Sequence, residues 1–168
     1  VDYSKALGKI TVRRAIESSQ NIPFVEIMQE LKPSVSMDYL ERLGITTLTE
    51  EDNNLSLALG GLQKGISPLE MAAAYAAIAN DGEYIEPVFY QNIKNHSGET
   101  IITSKQDTRR VFSKETAFIL KELLTQPVEG SNGTATYCKI NGIDVAAKTG
   151  TTDSNYDRWL CGFTPYYT

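Results

Sequence analysis

The sequence predicts an α+β chain, with helices over roughly the first two-thirds and strands concentrated after them. Residues that start helices recur ahead of apolar positions at helical spacing, at Thr11, Pro23, Ser67 and Ser113. Beyond Glu86 the apolar period shortens to alternation. Near the C-terminus two apolar segments, 144–152 and 158–167, flank the polar Asp153-Ser154-Asn155-Tyr156 and read as two joined strands.

Each element has a local reason. Thr11 can cap a short helix through Glu17, with Ala15 and Ile16 as its apolar side. Ser18-Ser19-Gln20-Asn21 then interrupts it, because such side chains compete for backbone hydrogen bonds. Pro23 suits the first turn of a second helix, where its missing N–H is no loss. That helix is expected to bury Phe24, Ile27, Met28 and Leu31 and to end before Pro33. A third, 34–43, turns Tyr39, Leu40 and Leu43 inward and stops at Gly44. The stretch 45–54 reads as a polar loop, and the apolar 55–59 runs into paired glycines that favour a tight turn over a long helix. Ser67-Pro68-Leu69-Glu70 is a capping box opening an alanine-rich, nearly all-apolar helix, which predicts a central position until Asn80-Asp81-Gly82 ends it. A hairpin follows, with strands over 88–93 and 100–104 and its turn at Asn95-His96-Ser97-Gly98. Ser113 caps a helix to about Leu124, and 127–133 reads as loop.

A chain of 168 residues suits one domain. With 41% apolar and 22% charged residues it is expected to be globular, and 16 Lys+Arg against 21 Asp+Glu argue against a nucleic-acid partner. The longest apolar run, 71–79, is far short of the ~20 residues a membrane span needs. Val1 is not an initiator Met, and no leader-like segment follows, so the chain reads as a piece of a longer protein. Cys138 and Cys161 fit neither a zinc site nor a redox pair and read as partly buried small side chains, a mutual disulfide staying open. No metal or cofactor is expected. His96, the one histidine, falls in the hairpin turn, so any catalytic base here is something else.

Lys148-Thr149-Gly150-Thr151-Thr152 is the most informative stretch. On a strand Thr149 and Thr151 share a face, and Gly150 leaves bare backbone between them. Two hydroxyls and an ammonium beside open backbone can hold a carboxylate while an extended peptide lies alongside. Alone, the tripeptide also fits a surface strand with a solvated lysine, just as Ser19-Gln20-Asn21 alone fits an inter-helix turn. Strict alternation puts Lys148 on the face opposite Thr149, so its stem or the strand twist must bring the ammonium round to Ser19. Both elements occur with a third, Ser-x-x-Lys, in penicillin-binding proteins and class A β-lactamases. No serine here has a lysine three residues later.

Taken together, 11–23, 57–61, 65–75, 133–135, 147–152 and 157–165 make the whole chain resemble the middle of the transpeptidase domain of class A (bifunctional) penicillin-binding proteins. The resemblance implies a partial domain over 1–168, with the nucleophile segment upstream and the last strands downstream. It implies the β-lactamase/penicillin-binding-protein fold, its helical region present and its antiparallel sheet incomplete. The parent it implies is a serine D,D-transpeptidase that cross-links peptidoglycan stem peptides ending in D-Ala-D-Ala and is acylated by β-lactams, while this chain alone is expected to be inactive. Ser19 would relay a proton between nucleophile and leaving amine, and Asn21 would bond the substrate amide. Lys148 would keep positive potential beside Ser19, and Thr149 and Thr151 would bind the carboxylate. Gly150 would lie against the substrate, and the Thr151 N–H would be half of an oxyanion hole. The parent is further expected at the extracytoplasmic face of the bacterial membrane, anchored there and joined to a glycosyltransferase domain.

Three other readings stay open. A class A β-lactamase needs a Glu-x-x-x-Asn element, a spacing that Glu50 and Asn54 offer, in a dissimilar context. A D,D-carboxypeptidase differs in what accepts the acyl group. A non-catalytic β-lactam sensor or scaffold would retain the cleft without cross-linking. Elsewhere, 57–61 and the Ser67 helix are expected to serve packing and capping, Trp159 and Phe163 to fill the core in preference to lining the cleft floor, and 133–135 to border the cleft on its acceptor side.

Overall fold

A computed structural model of the chain describes residues 7–168. Its order is α1 (Val12–Glu17), α2 (Ile22–Leu31), α3 (Pro33–Arg42), α4 (Pro68–Ala79), β1 (Glu83–Ile85), β2 (Asn92–Lys94), β3 (Thr100–Thr103), β4 (Thr108–Arg110), α5 (Lys114–Glu129), β5 (Ala146–Thr151) and β6 (Arg158–Phe163). Short 3-10 turns lie at Glu50–Asp52, Leu55–Leu59, Thr136–Cys138 and Asp153–Asn155. The α+β expectation holds.

The predicted caps form. Thr11 Oγ1 accepts from the Arg14 N–H at 3.2 Å, Ser67 Oγ from Glu70 at 3.2 Å and Ser113 Oγ from Thr116 at 3.2 Å. Glu70 completes its box by accepting from the Ser67 N–H at 3.0 Å. Its other oxygen accepts from the N–H (2.9 Å) and hydroxyl (2.7 Å) of Thr46, which ties the 45–54 loop to α4. These donors hold the Glu70 carboxyl at about 2. In the same loop Asp52 is buried, satisfied by the N–H groups of Thr49 and Gln63, each at 2.8 Å.

α4 is central, as its composition predicts. Ala73, Ala74 and Ala77 pack with Leu43, Ile45, Tyr84 and Val111 on one side, while Tyr75, Ile78 and Ala79 meet Leu124, Ala146 and Phe163 on the other. Alanine lets neighbouring elements approach closely there. Gly44, which stops α3 at φ +85°, sits so near the Tyr84 ring that a Cβ would lie 2.2 Å from its hydroxyl oxygen. A third cluster, Val128, Ala135, Val145 and Ala147, joins the end of α5 to β5.

Five expectations need correction. Tyr39 of α3, expected inward, is exposed. α2 buries none of its residues: Phe24 and Met28 are half-buried, and Ile27 and Leu31 are exposed. The hairpin's first strand begins at Asn92 rather than near 88, since Pro87 lacks a donor and the chain from Pro87 to Gln91 joins no ladder. α5 runs on to Glu129, because burial of Leu124, Pro127 and Val128 outweighs the proline in its last turns, whereas Phe118 and Ile119 stay exposed. β6 ends at Phe163, and a turn in which Thr164 accepts from Tyr167 replaces its predicted extension. Among the described residues the strands form three two-stranded antiparallel sheets, β1–β4, β2–β3 and β5–β6. The first joins three-residue strands that no alternation announces.

Candidate active site

Ser19 lies in the turn between α1 and α2 with φ +54°, a left-handed backbone unusual for a residue with a Cβ. Two bonds hold it there: the Ser19 N–H donates to Ile16 (3.2 Å) and the Gln20 N–H to Ala15 (2.9 Å). The core beneath supports the turn, as Ala15 is buried where α1 packs on α5. Asn21 follows at the start of α2, its carbonyl accepting from Phe24 and Val25.

β5 approaches this turn from the other end of the sequence. Its first residues, Ala146 and Ala147, are buried, so the strand is fixed by packing before it reaches Lys148. The Lys148 ammonium donates to Ser19 Oγ at 2.7 Å and to the Thr149 carbonyl at 2.9 Å. A strand carbonyl lies near the sheet plane, so the ammonium comes round the strand at that level, which resolves the conflict with strict alternation. Partial burial pushes the Lys148 ammonium below its ordinary pKa.

A cleft of about 560 Å³ opens between the turn and the strand, lined by Ser19, Asn21, Thr149, Gly150 and Thr151 among others. The structure therefore brings the predicted site residues together, Lys148 joining them through Ser19. Gly150 is exposed, and a Cβ there would meet just the Trp159 Cβ, at an ordinary 3.7 Å. Among the described residues nothing demands glycine at 150. Glycine in a strand weakens it, so its use fits a molecule lying against the strand from outside. β5 pairs with β6 on one side; among the described residues its other edge carries no strand.

Thr134, expected at the border of the cleft, lines it, its Oγ1 2.7 Å from Thr149 Oγ1. Tyr137, Thr152, Ser154, Asn155 and Arg158 also face the cleft, with no such role legible in the sequence. Trp159 is half-buried and lines the cleft instead of filling the core, while Phe163 is a core residue as expected. The Ser154–Asn155 turn has φ +59° at both positions, and its polar composition was the available signal. Glu50 and Asn54 are not among the lining residues. Asn54 caps the 3-10 turn Leu55–Leu59, its side chain accepting from the Ser56 N–H at 2.8 Å. Leu57 is buried, in keeping with a packing role. Cys138 and Cys161 are free, half-buried thiols, and burial pushes the Cys161 thiol up. Among the described residues no group of three His, Cys, Asp or Glu side chains could hold a metal.

Such a constellation, an ammonium on a serine hydroxyl beside threonine hydroxyls and open backbone, can bind a carboxylate and move a proton without histidine. A family model described as the penicillin binding protein transpeptidase domain matches residues 1–168. "Penicillin-binding protein 1F" of Bacillus subtilis is 39% identical over 98% of this chain and 23% of its own length. "Penicillin-binding protein 1A" of Clostridium botulinum is 35% identical over 95% of the chain and 19% of its own. Among solved structures, "Penicillin-Binding Protein 1A from Haemophilus influenzae" superposes with TM-score 0.78 at 25% identity, over 92% of this chain and 28% of that one. A D,D-transpeptidase domain of a peptidoglycan glycosyltransferase from Eggerthella lenta gives 0.75 at 26%, over 96% and 46%. The chain thus spans about a fifth of the length of these curated relatives.

Proposed function

The chain belongs to the penicillin-binding-protein transpeptidase family, and from that premise we propose that it forms one wall of an acyl-transfer cleft for peptidoglycan stem peptides ending in D-Ala-D-Ala. The observation that carries this is the 2.7 Å contact of the Lys148 ammonium with Ser19 Oγ, on a cleft that also holds Asn21, Thr149, Gly150 and Thr151.

The nucleophile is a serine from a segment outside this chain. Its oxygen attacks the carbonyl between the two D-alanines, its proton passes through Ser19 to the leaving amine, and the terminal D-alanine departs. An amine of a second stem peptide then attacks the ester, its proton returns to the nucleophile, and the cross-link forms. Lys148 keeps the field around Ser19 positive, which favours deprotonation of the attacking hydroxyl. The substrate runs along β5 against bare Gly150, with Asn21 bonding its amide and the hydroxyls of Thr149 and Thr151 its carboxylate. The Thr151 N–H and that of the nucleophile share the developing oxyanion, a donor of this kind contributing ~10²–10³ in rate. β-Lactams enter as mimics of the terminal dipeptide and stay as esters.

In the whole protein we place this cleft at the outer face of the bacterial membrane beside a glycosyltransferase domain. Among the described residues no helix is long and apolar enough to cross a membrane. The test is the intact mass of the polypeptide extended upstream, after incubation with benzylpenicillin. One stable adduct, slowed on the order of 10²-fold or more by Lys148→Ala, is expected. A folded, extended protein that gains no adduct would leave a scaffold or binding module as the better account.

A further inference from the structure

Thr134 lies in the stretch expected to border the cleft, without a chemical role of its own, and three successive contacts fix where its hydroxyl lies. Upstream, the Asn132 N–H donates to Glu17 Oε1 at 2.9 Å, and Glu17 also accepts from Arg14 Nη1 at 3.1 Å. Glu17 ends α1, two positions before Ser19. Next, Gly133 passes against the end of α5 so tightly that a Cβ would lie 2.2 Å from the Pro127 carbonyl oxygen. Downstream, Ala135 is fully buried, and its N–H donates to that same carbonyl at 2.8 Å. Between these anchors Thr134 remains exposed on the cleft wall, 2.7 Å from Thr149 across the hydroxyl pair.

A hydroxyl has one proton to give and two lone pairs. A carboxylate without a proton can accept hydrogen bonds and give none. Once Thr149 turns its proton toward a carboxylate, its contact with Thr134 persists in one polarity only, with Thr134 donating. We propose that Thr134 is a positioning residue: its hydroxyl donates to Thr149 Oγ1 and aims the Thr149 proton at the substrate carboxylate, while the Glu17 clip sets the Thr134 loop against the Ser19 turn. The inference rests on the acyl-transfer reading of the cleft. A chain of this polarity strengthens its own far end, because each bond polarises the next.

The experiment compares acylation by benzylpenicillin and by its uncharged methyl ester in the upstream-extended protein, as wild type, Thr134→Val and Thr134→Ser. Valine keeps the shape and removes the hydroxyl; serine keeps the hydroxyl. The valine variant is expected to lose about threefold to tenfold with benzylpenicillin, chiefly as a raised half-saturation concentration with little change in maximal rate. Serine should restore the rate to within about twofold, and the ester should react within about twofold in all three proteins. Glu17→Gln, which keeps an acceptor but weakens the clip, should show the same ligand selectivity at smaller size. Equal losses with acid and ester would assign Thr134 to packing and overturn the proposal, as would an unimpaired valine variant of an acylated wild type. Failure of the wild type itself to acylate would overturn the cleft reading, and this inference with it.

Discussion

The β5–β6 ladder and the β2–β3 hairpin are both two-stranded and antiparallel, yet they are held by different means. β5–β6 runs in unbroken register from Ala146↔Phe163 to Thr151↔Arg158, with Ala146, Ala147 and Phe163 buried against α5 and α4. Every residue of β2 and β3 is exposed, and the register shifts between Ile93 and Lys94. That hairpin depends on its turn, where Asn95 Oδ1 accepts from the N–H groups of Ser97 (3.0 Å) and Glu99 (2.9 Å) and Gly98 takes φ +84°. An isolated two-stranded ribbon is marginal in water. Ladder bonds give both pairs their shape; burial gives one of them rigidity. Lys148, Thr149 and Thr151 stand on the rigid one.

The contrast is sharpest in activity. Lys148→Met in the extended protein should slow β-lactam acylation by about 10²-fold or more while leaving the fold intact, whereas Ile102→Thr on the hairpin should leave the rate unchanged; stopped-flow labelling reads both. Stability follows in a second tier. Gly162→Ala would put a Cβ 2.5 Å from the Ala146 carbonyl oxygen, within the packed ladder, and should cost about 1–3 kcal/mol of global stability by urea unfolding. Gly98→Ala strains a left-handed turn open to solvent and should cost about 1 kcal/mol, visible as faster local amide exchange rather than a shifted global midpoint.

The third effect is one of pH. Glu70 is held at about 2, below its ordinary 4.5, by donors on Thr46 and Ser67. A lowered carboxylate pKa means the unfolded chain binds the proton more readily. The contribution is therefore complete above about pH 5 and fades as pH falls through the folded value. The urea midpoint should drop between about pH 5 and pH 2, and Glu70→Gln should flatten that part of the slope. The smallest effect is expected of Asn95→Ala, which should fray the hairpin and leave melting and acylation alone.

What the sequence made legible follows the same division. Caps depend on neighbours a few residues apart, so Thr11, Ser67 and Ser113 could be read directly. Residues 148–151 and 19–21 could be placed in one cleft through the resemblance of their motifs, since no local rule joins positions so distant. β1 and β4, three residues each, have no period to detect and exist because Tyr84 and Val111 share a core with α4. α5 outlasts its proline for a tertiary reason, the seat of Val128 among Ala135, Val145 and Ala147. The size of Trp159 suits a core and a cleft floor equally well, which favours the core on sequence alone; its register opposite Gly150 sets it on the cleft. Thr134 was legible as a neighbour of the cleft, but its partner, Thr149, became visible when the loop after α5 was seen to fold back.

The Ser19–Lys148 contact closes a span of 129 residues in a chain of 168. Entropy of closure rises slowly with span, by about 0.6 kcal/mol per doubling, so length itself is a small burden. Order of events is the larger matter: α1, α5 and β5 must all be docked before ammonium and hydroxyl meet, and contacts of such separation lag behind local ones during folding. A collapsed intermediate with its helices formed has no cleft to offer. In the upstream-extended protein, covalent capture by penicillin during refolding would thus time the arrival of native topology, distinguishing finished molecules from those that merely contain the right secondary structure.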